Sequence, residues 1–484
     1  MRSAIGLGIL VVLATFDPAR AATIHVPGDY PTIQGALAVA EYGDTVLVAP
    51  GTYCEILAMP DGVVLVSESG PEVTFLDGSS AGTVITVYSC DQNTAVIGFT
   101  IQHGSAPPPG CLGGGMYISG SAVRVVDNVF SSNQATSGGG IFVEFGDEAE
   151  IAGNVFVYNH AWSGGGIYVQ GADTAPWIHG NTFKYNSVEH GGGAICHRAG
   201  PAPWKTEAIA NVEDNTIEQN QACWGGGVYL HGEWSRLHIH GNTIRGNHGA
   251  EHGGGICSFL GTPIAWGNTI ANNTTDGCGG AICLLECESA VFEDNLIQDN
   301  VGGVCGGGLY AEYSSGIKLQ GNTLERNAAK ATHGGAIYFY NCAAVIEWNL
   351  FAHNACVQRG GGIVWVVWCG IELRHNTFVA NSAAEGGGIY AGDAYLAAIE
   401  NNIIVDSQGG YGVYLPPGGT AAVMCNDIWN NLPDNYYNLG PGPGDFSVSG
   451  RIKTGQCGSV QNQPFMRATF SPYHSSFLGY KPCF

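Results

Sequence analysis

The stretch SGGGIYVQGADTAPWIHGNTFKYN, Ser163 to Asn186, holds three consecutive glycines, an alternating IYVQ, a Trp and a His two apart, and two asparagines. It is one copy of a repeated unit. The last glycine of GGG, or the alanine replacing it in GGA, falls at Gly115, Gly140, Gly166, Ala194, Gly227, Gly255, Ala281, Gly308, Ala336, Gly362 and Gly388. In phase with it runs N-x-[FIL]-x-x-N, from NVFSSN at Asn128 through NTFKYN at Asn181 to NTFVAN at Asn376, with decayed copies at Asn402 and Asn426. Successive first asparagines are 26 or 27 apart, except for a step of 34 from Asn181 to Asn215 and a final 24.

Within each unit apolar and polar residues alternate with period two, which predicts strands. Ile167, Val169, Ile178 and Phe183 point inward, while Tyr168 points outward. Three short strands and tight turns cannot bury an apolar face alone, so each unit must stack on its copies. The expected result is an all-β parallel β-helix with three sheets and about 13 rungs. Glycines suit positive-φ turn positions, and asparagines at the bends can form amide ladders along the axis. A leucine-rich repeat would need an L-x-x-L-x-L frame, which is absent. A phosphate loop needs Gly-Lys, and no glycine here is followed by lysine.

The chain opens MRSAIGLGILVVLATFDPARA: one early Arg, an apolar run from Ala4 to Phe16, then Ala19-Arg20-Ala21. That pattern predicts a secretory signal peptide over 1–21, and the run is too short to span a bilayer. A secreted or cell-surface location is expected, without a transmembrane anchor. All 16 cysteines follow the leader, as disulfides in an oxidising compartment would require. The 484 residues include 40 acidic against 17 basic ones. Such a surface repels polyanions, which argues against nucleic acid and weakly against polyuronates. Nothing in the sequence calls for a cofactor, and nothing bears on the oligomeric state.

ATIHVPGDYPTIQGALAVAEYGDTVLVAPGTY, Ala22 to Tyr53, reads as a strand, a short helix with Ile33, Ala36, Leu37 and Ala40 on one face, and another strand. With VIGFTIQHG at Val96 to Gly104, it resembles the entry segment of the right-handed pectin-lyase-like β-helix proteins. The GGA[IL] and FxxN motifs are similar to those of the polymorphic outer-membrane autotransporter adhesins of chlamydiae. These resemblances cover Ala22 to about Asn431 and imply a right-handed coil; an N-terminal helix cap over 22–53, repeats over 54–431 and an irregular C-terminal cap over 432–484, where the repeat breaks, are expected. They imply fold far more strongly than activity. Of the NTD, DD, GHG and RIK motifs of polygalacturonases only RIK is present, Arg451 to Lys453, in a Gly- and Pro-rich tail. Pectin methylesterase motifs are missing, and Lys and Arg are too few for a pectate lyase face. The tail is also too short for an autotransporter barrel.

Equivalent residues of a stacked coil lie about 4.8 Å apart, so a column of repeats is a surface. The second residue after the glycines gives Tyr117, Phe142, Tyr168, Tyr229, Tyr310, Tyr338 and Tyr390, an expected outward aromatic ladder open to self-stacking or to sugar rings. The columns two and four residues before the first asparagine gather Trp177, His179, Asn211, Glu213, His238, His240, Trp266 and Glu293 into one patch. The 34-residue step falls beside it, in CHRAGPAPWKTEAIAN, a loop carrying Arg198 and Trp204. A polysaccharide or cell-surface glycan is the expected partner, stacking on Trp177 and Trp266 while His179, Glu213 and His240 bond its hydroxyls, with Asn211, His238, Glu293, Trp204 and Arg198 as further ligand-binding candidates.

The same patch admits chemistry, with Glu213, His240 and His179 as the candidate catalytic groups of a polysaccharide lyase or glycoside hydrolase. It also admits a metal held by His179, Glu213 and His240. A purely structural or adhesive rod is the remaining alternative.

Column alignment also proposes disulfides: Cys257 with Cys283, Cys278 with Cys305, and Cys342 with Cys369 occupy like positions on adjacent rungs. Cys457 and Cys483 are candidates to tie down the tail. His252, Cys278, Cys305 and His333 form one column, a possible zinc set that a linear ladder suits poorly.

Overall fold

The computed structural model describes residues 21–438, apart from 107–111, 146–147, 172–173, 200–207, 393 and 418–420. The leader, Trp204, the RIK segment, Cys457 and Cys483 lie outside the described residues, as does the tail beyond residue 438.

Among the described residues the strands form a parallel β-solenoid whose sheets hold 16, 15, 15 and 9 strands. The 16-stranded sheet precedes the asparagine bend and includes Trp177–His179, Ala208–Glu213, Ser235–His240 and Thr262–Trp266. One 15-stranded sheet follows that bend, as in Thr182–Lys184, and the other follows the glycines, as in Ile167–Gln170. The fourth sheet corrects the expectation of three. Its strands run between the second asparagine and the glycines, as in Gln134–Ser137, His160–Ser163 and Ser187–Gly191. Such segments are too short and too rich in small polar residues to show a period-two signal.

The interior follows the repeat. Phe130, Phe156 and Phe183 are fully buried and stack at ring-centroid distances of 4.9 and 4.7 Å. Two of the bends are held by asparagine ladders. Asn181 N–H and Nδ2 both donate to Asn215 Oδ1, at 2.9 and 3.0 Å, while Asn215 Nδ2 donates to Ile178 O at 2.9 Å. Asn215 N–H and Nδ2 in turn donate to Asn242 Oδ1. A second ladder runs through the other asparagine, from Asn133 to Asn159 to Asn186 to Asn220. The amides thus accept from backbone N–H groups at the bend and donate to carbonyls of the adjoining strands, such as that of Ile178.

The three glycines do different jobs. Gly164 takes φ +64, whereas Gly165 is needed for space, since a Cβ there would sit 2.5 Å from Gly193 O.

The expected outward aromatic ladder is not on the surface. Phe142, Tyr168, Cys196, Tyr229, Cys257, Cys283 and Tyr310 form a second, buried seam on the outer side of the post-glycine sheet. Residues just before the glycines cover it: Trp224 and His190 meet the Tyr229 ring edge-on, and His252 stacks against Tyr310 at 6.1 Å. An aromatic side chain on a sheet face gains by excluding water, and the fourth sheet supplies the lid. Tyr168 is pushed well above its ordinary pKa by that burial.

At the lower end the helix is Ile33–Leu37, with Thr32 Oγ1 accepting from Gly35 N–H at 3.1 Å and the Glu55 carboxylate accepting from Ile33 and Gln34 N–H. Ile33, Ala36 and Leu37 are buried against the core and Ala40 packs partly against it, on the face expected.

Of the column disulfides, Cys278–Cys305 forms, with a Cα–Cα distance of 4.7 Å. Cys257 and Cys283 are register partners but free; Cys342 and Cys369, each one residue before the partners Ala343 and Gly370, are also free, and the Cys342 N–H points at Cys369 Sγ. Being neighbours on adjacent strands satisfies the Cα distance of a disulfide but leaves the Sγ orientation open. Cys223 and Cys425, which the columns did not select, are disulfide-bonded. The Cys278–Cys305 bond also removes the two thiolates that a zinc site in that column would need.

Candidate functional site

The patch assembles in the register expected. Trp177 and His179 pair with Asn211 and Glu213, these with His238 and His240, and these with Ile264 and Trp266; Trp266 then pairs with Glu293. All the outward side chains come from alternate positions of straight, parallel strands, so the sheet itself sets their spacing.

Trp177 and His179 lie two apart on one strand and stack at 3.9 Å between ring centroids. The indole Nε1 of Trp177 donates to Glu213 Oε2 at 3.0 Å, and Trp177 remains 45% exposed. One rung on, His238 Nδ1 lies 3.2 Å from Asn211 Oδ1. His240 stacks on Trp266 at 4.9 Å, and His238 meets the same indole edge-on at 5.9 Å. Glu293 ends the patch, ion-paired to Lys318 at 2.7 Å.

The patch also extends further down than the sequence reading took it. His179 Nε2 lies 3.3 Å from Glu150 Oε1, and Arg124 Nε donates to Glu150 Oε2 at 2.8 Å. The Arg124 hydrogen bond, helped by His179, holds the Glu150 carboxyl below the usual carboxylate range. Both residues stood in the same columns; the signal was that the polar run begins at Arg124, two rungs before Trp177.

Some expected members do not join. Arg198 lies on the post-glycine strand Ile195–Arg198, paired with Gln170 and His231, and not on the patch sheet. His179, Glu213 and His240 share one column without converging: His179 turns to Glu150, Glu213 to Trp177 and His240 to Trp266. Among the described residues no cluster of His, Cys, Asp and Glu converges as a metal site. Glu213 and Glu293 are three strand steps apart, roughly 14 Å. That exceeds the roughly 5–9.5 Å across which paired carboxylates cleave a glycosidic bond.

What the surface offers is two aromatic faces with hydrogen-bonding groups between them. Residues 61–265 and 253–378 match a family model described as the right handed beta helix region. The chain belongs to this family. Among solved structures, this right-handed β-helix is similar to a PL6 family alginate lyase, AlyGC, at 13% identity, with 88% of this chain and 79% of that one covered and a TM-score of 0.26. A mannuronic acid specific family 6 lyase from human gut microbiota is similar at 10% identity, with 89% and 91% covered and a TM-score of 0.28. The receptor binding domain of the siphovirus 9NA tailspike is similar at 11% identity, with 91% and 78% covered and a TM-score of 0.23. A comparison with curated protein sequences found no match. Among the described residues of the right-handed β-helix no helix is long and apolar enough to cross a membrane.

Proposed function

We propose that this protein is exported and binds a polysaccharide or cell-surface glycan along the side of its β-helix, on the sheet that precedes the asparagine bend. One observation carries the reading: two indole–imidazole stacks, Trp177 with His179 and Trp266 with His240, with Asn211, Glu213 and His238 between them. Apolar ring faces fit the faces of sugars, while the intervening carboxylate, amide and imidazoles match hydroxyls. Three strand steps between the stacks, roughly 14 Å, suit an extended chain of several sugar units lying along the axis. The Cys278–Cys305 disulfide accords with an oxidising, extracellular setting.

A second reading, turnover of the same glycan, is favoured by Glu213 and His240 being register neighbours, one rung apart. A glycan array combined with reducing-end and unsaturated-product assays separates the two. Binding without products, lost in Trp177→Ala and in Trp266→Ala, supports the binding reading. Products whose formation Glu213→Gln or His240→Ala abolishes would replace it with an enzyme. Neither binding nor products, with unchanged stability in the variants, would leave a structural or adhesive rod.

A further inference from the structure

The short fourth sheet carries a surface that the column reading did not find. Along it Gln134 pairs with His160 and His160 with Ser187, while inward-facing Ala135 pairs with Ala161 and Ala161 with Val188. Outward residues on these strands alternate with that row of small side chains, of which Ala161 and Val188 are buried and Ala135 is half-buried. A shallow depression of about 250 Å³ lies here, lined by Gln134, Thr136, His160, Trp162, Glu189 and the two alanines.

Its groups are held in place by the rungs around it. His160 Nδ1 lies 3.0 Å from Ser187 Oγ and its Nε2 lies 2.9 Å from Glu189 Oε1, so both ring nitrogens are engaged. Trp162 is 49% exposed, although a tryptophan here contributes nothing to the core. Toward the next rung it stacks on His190 at 6.1 Å, His190 stacks on Trp224 at 6.3 Å, and Trp224 Nε1 donates to Glu251 Oε2 at 2.7 Å. This staircase fixes the plane of the Trp162 ring. On the preceding rung Thr136, between the partners of Ala161 and Ser163, is the small residue opposite Trp162, and both side chains line the depression.

We propose that this depression is a second saccharide site, taking one neutral pyranose ring against Trp162, with Gln134 and Glu189 bonding its hydroxyls and His160 holding the Glu189 carboxylate in place. Its volume falls below the roughly 300–1,000 Å³ of pockets for drug-sized ligands, which matches a single ring better than a chain. A net charge of −23 disfavours an acidic sugar. A fixed indole costs little ordering on binding. The site lies on a different sheet from the Trp177 patch and does not depend on it.

Calorimetric titration of the full chain with tetrasaccharides of glucose, mannose and galactose tests the assignment. The expected result is two equivalents of at least one tetrasaccharide per chain. Trp162→Ala then loses one of them, with affinity there reduced tenfold or more, and Trp162→Phe retains it. Trp177→Ala loses the other equivalent and leaves the Trp162 site intact. Circular dichroism of Trp162→Ala matching that of the parent excludes misfolding as the cause, as expected for an exposed side chain. Binding at unchanged stoichiometry and affinity in Trp162→Ala overturns the second site, whatever becomes of the first. So does the failure of all three sugars to bind.

Discussion

Trp177 donates its indole N–H to Glu213 across one rung, at 3.0 Å, and so ties the most exposed aromatic of the patch to its central carboxylate. Glu213→Gln keeps an acceptor for that N–H but removes the charge. The expected outcome is a change in unfolding free energy within about 0.5 kcal/mol, because the pair is exposed, together with a clear loss of glycan affinity. Thermal melts alongside array binding check this. A variant that binds as the parent does would remove Glu213 from the site.

The asparagine ladder concentrates stability at the bends. Asn215, 1% exposed, accepts from Asn181 and donates to Ile178 O and to Asn242. Asn215→Ala strands several buried partners at once, at about 3 kcal/mol or more. Coils of a solenoid contact only their neighbours, so the loss should be local. Hydrogen exchange should rise in the coils of Asn181, Asn215 and Asn242 and stay unchanged near Asn376. A uniform rise along the whole chain would contradict the one-dimensional picture.

Cysteine chemistry divides by position. The Cys278–Cys305 bond closes a separation of 27 residues, for which chain entropy gives about 3.5 kcal/mol. The Cys278→Ser, Cys305→Ser double variant should lose most of that in urea titrations. Cys54 is exposed, whereas Cys257, Cys283 and Cys287 are buried. Alkylation of the native protein should therefore label Cys54 and reach the buried three only on unfolding; mass mapping of the labelled peptides would reveal any exception.

One buried and one half-buried histidine, His197 and His231, set an acid limit. Burial pushes His197 and His231 down to about 4 from 6.5, with Arg198 adding to the effect on His231. The unfolded chain takes up these protons first, so their contribution is complete above pH 6.5, declines as the pH falls toward about 4 and levels off below it. For fully buried His197 the full swing is about 3 kcal/mol. Urea midpoints measured from pH 7.5 to 4 should drop accordingly, and His197→Gln should flatten the curve. An unchanged slope in that variant would assign the titration to another group.

Much of this was legible because the repeat makes position and environment the same thing. Phe183 could be placed inside, and Trp177, Glu213 and His240 on one face, since a 27-residue spacing returns each residue above its counterpart. The signal failed where adjacent columns interact sideways. Tyr229 faces away from the main core, as alternation predicts, yet is buried because Trp224 and His190 fold over it. Arg198, close in sequence to the patch, is carried by its strand to another sheet. Trp162 sits on a four-residue strand, HAWS, too short to show a period-two signal.

The sequence by itself determined the coil, its register and the membership of each column, because period-two alternation and a fixed repeat length leave one way to bury the apolar face. Only the tertiary structure decided how columns meet. Whether an outward aromatic is solvent-exposed or capped, whether Cys278 bonds Cys305 while Cys257 faces Cys283 unbonded, and whether His179, Glu213 and His240 converge all depend on side-chain direction and lateral packing. A one-dimensional period encodes neither.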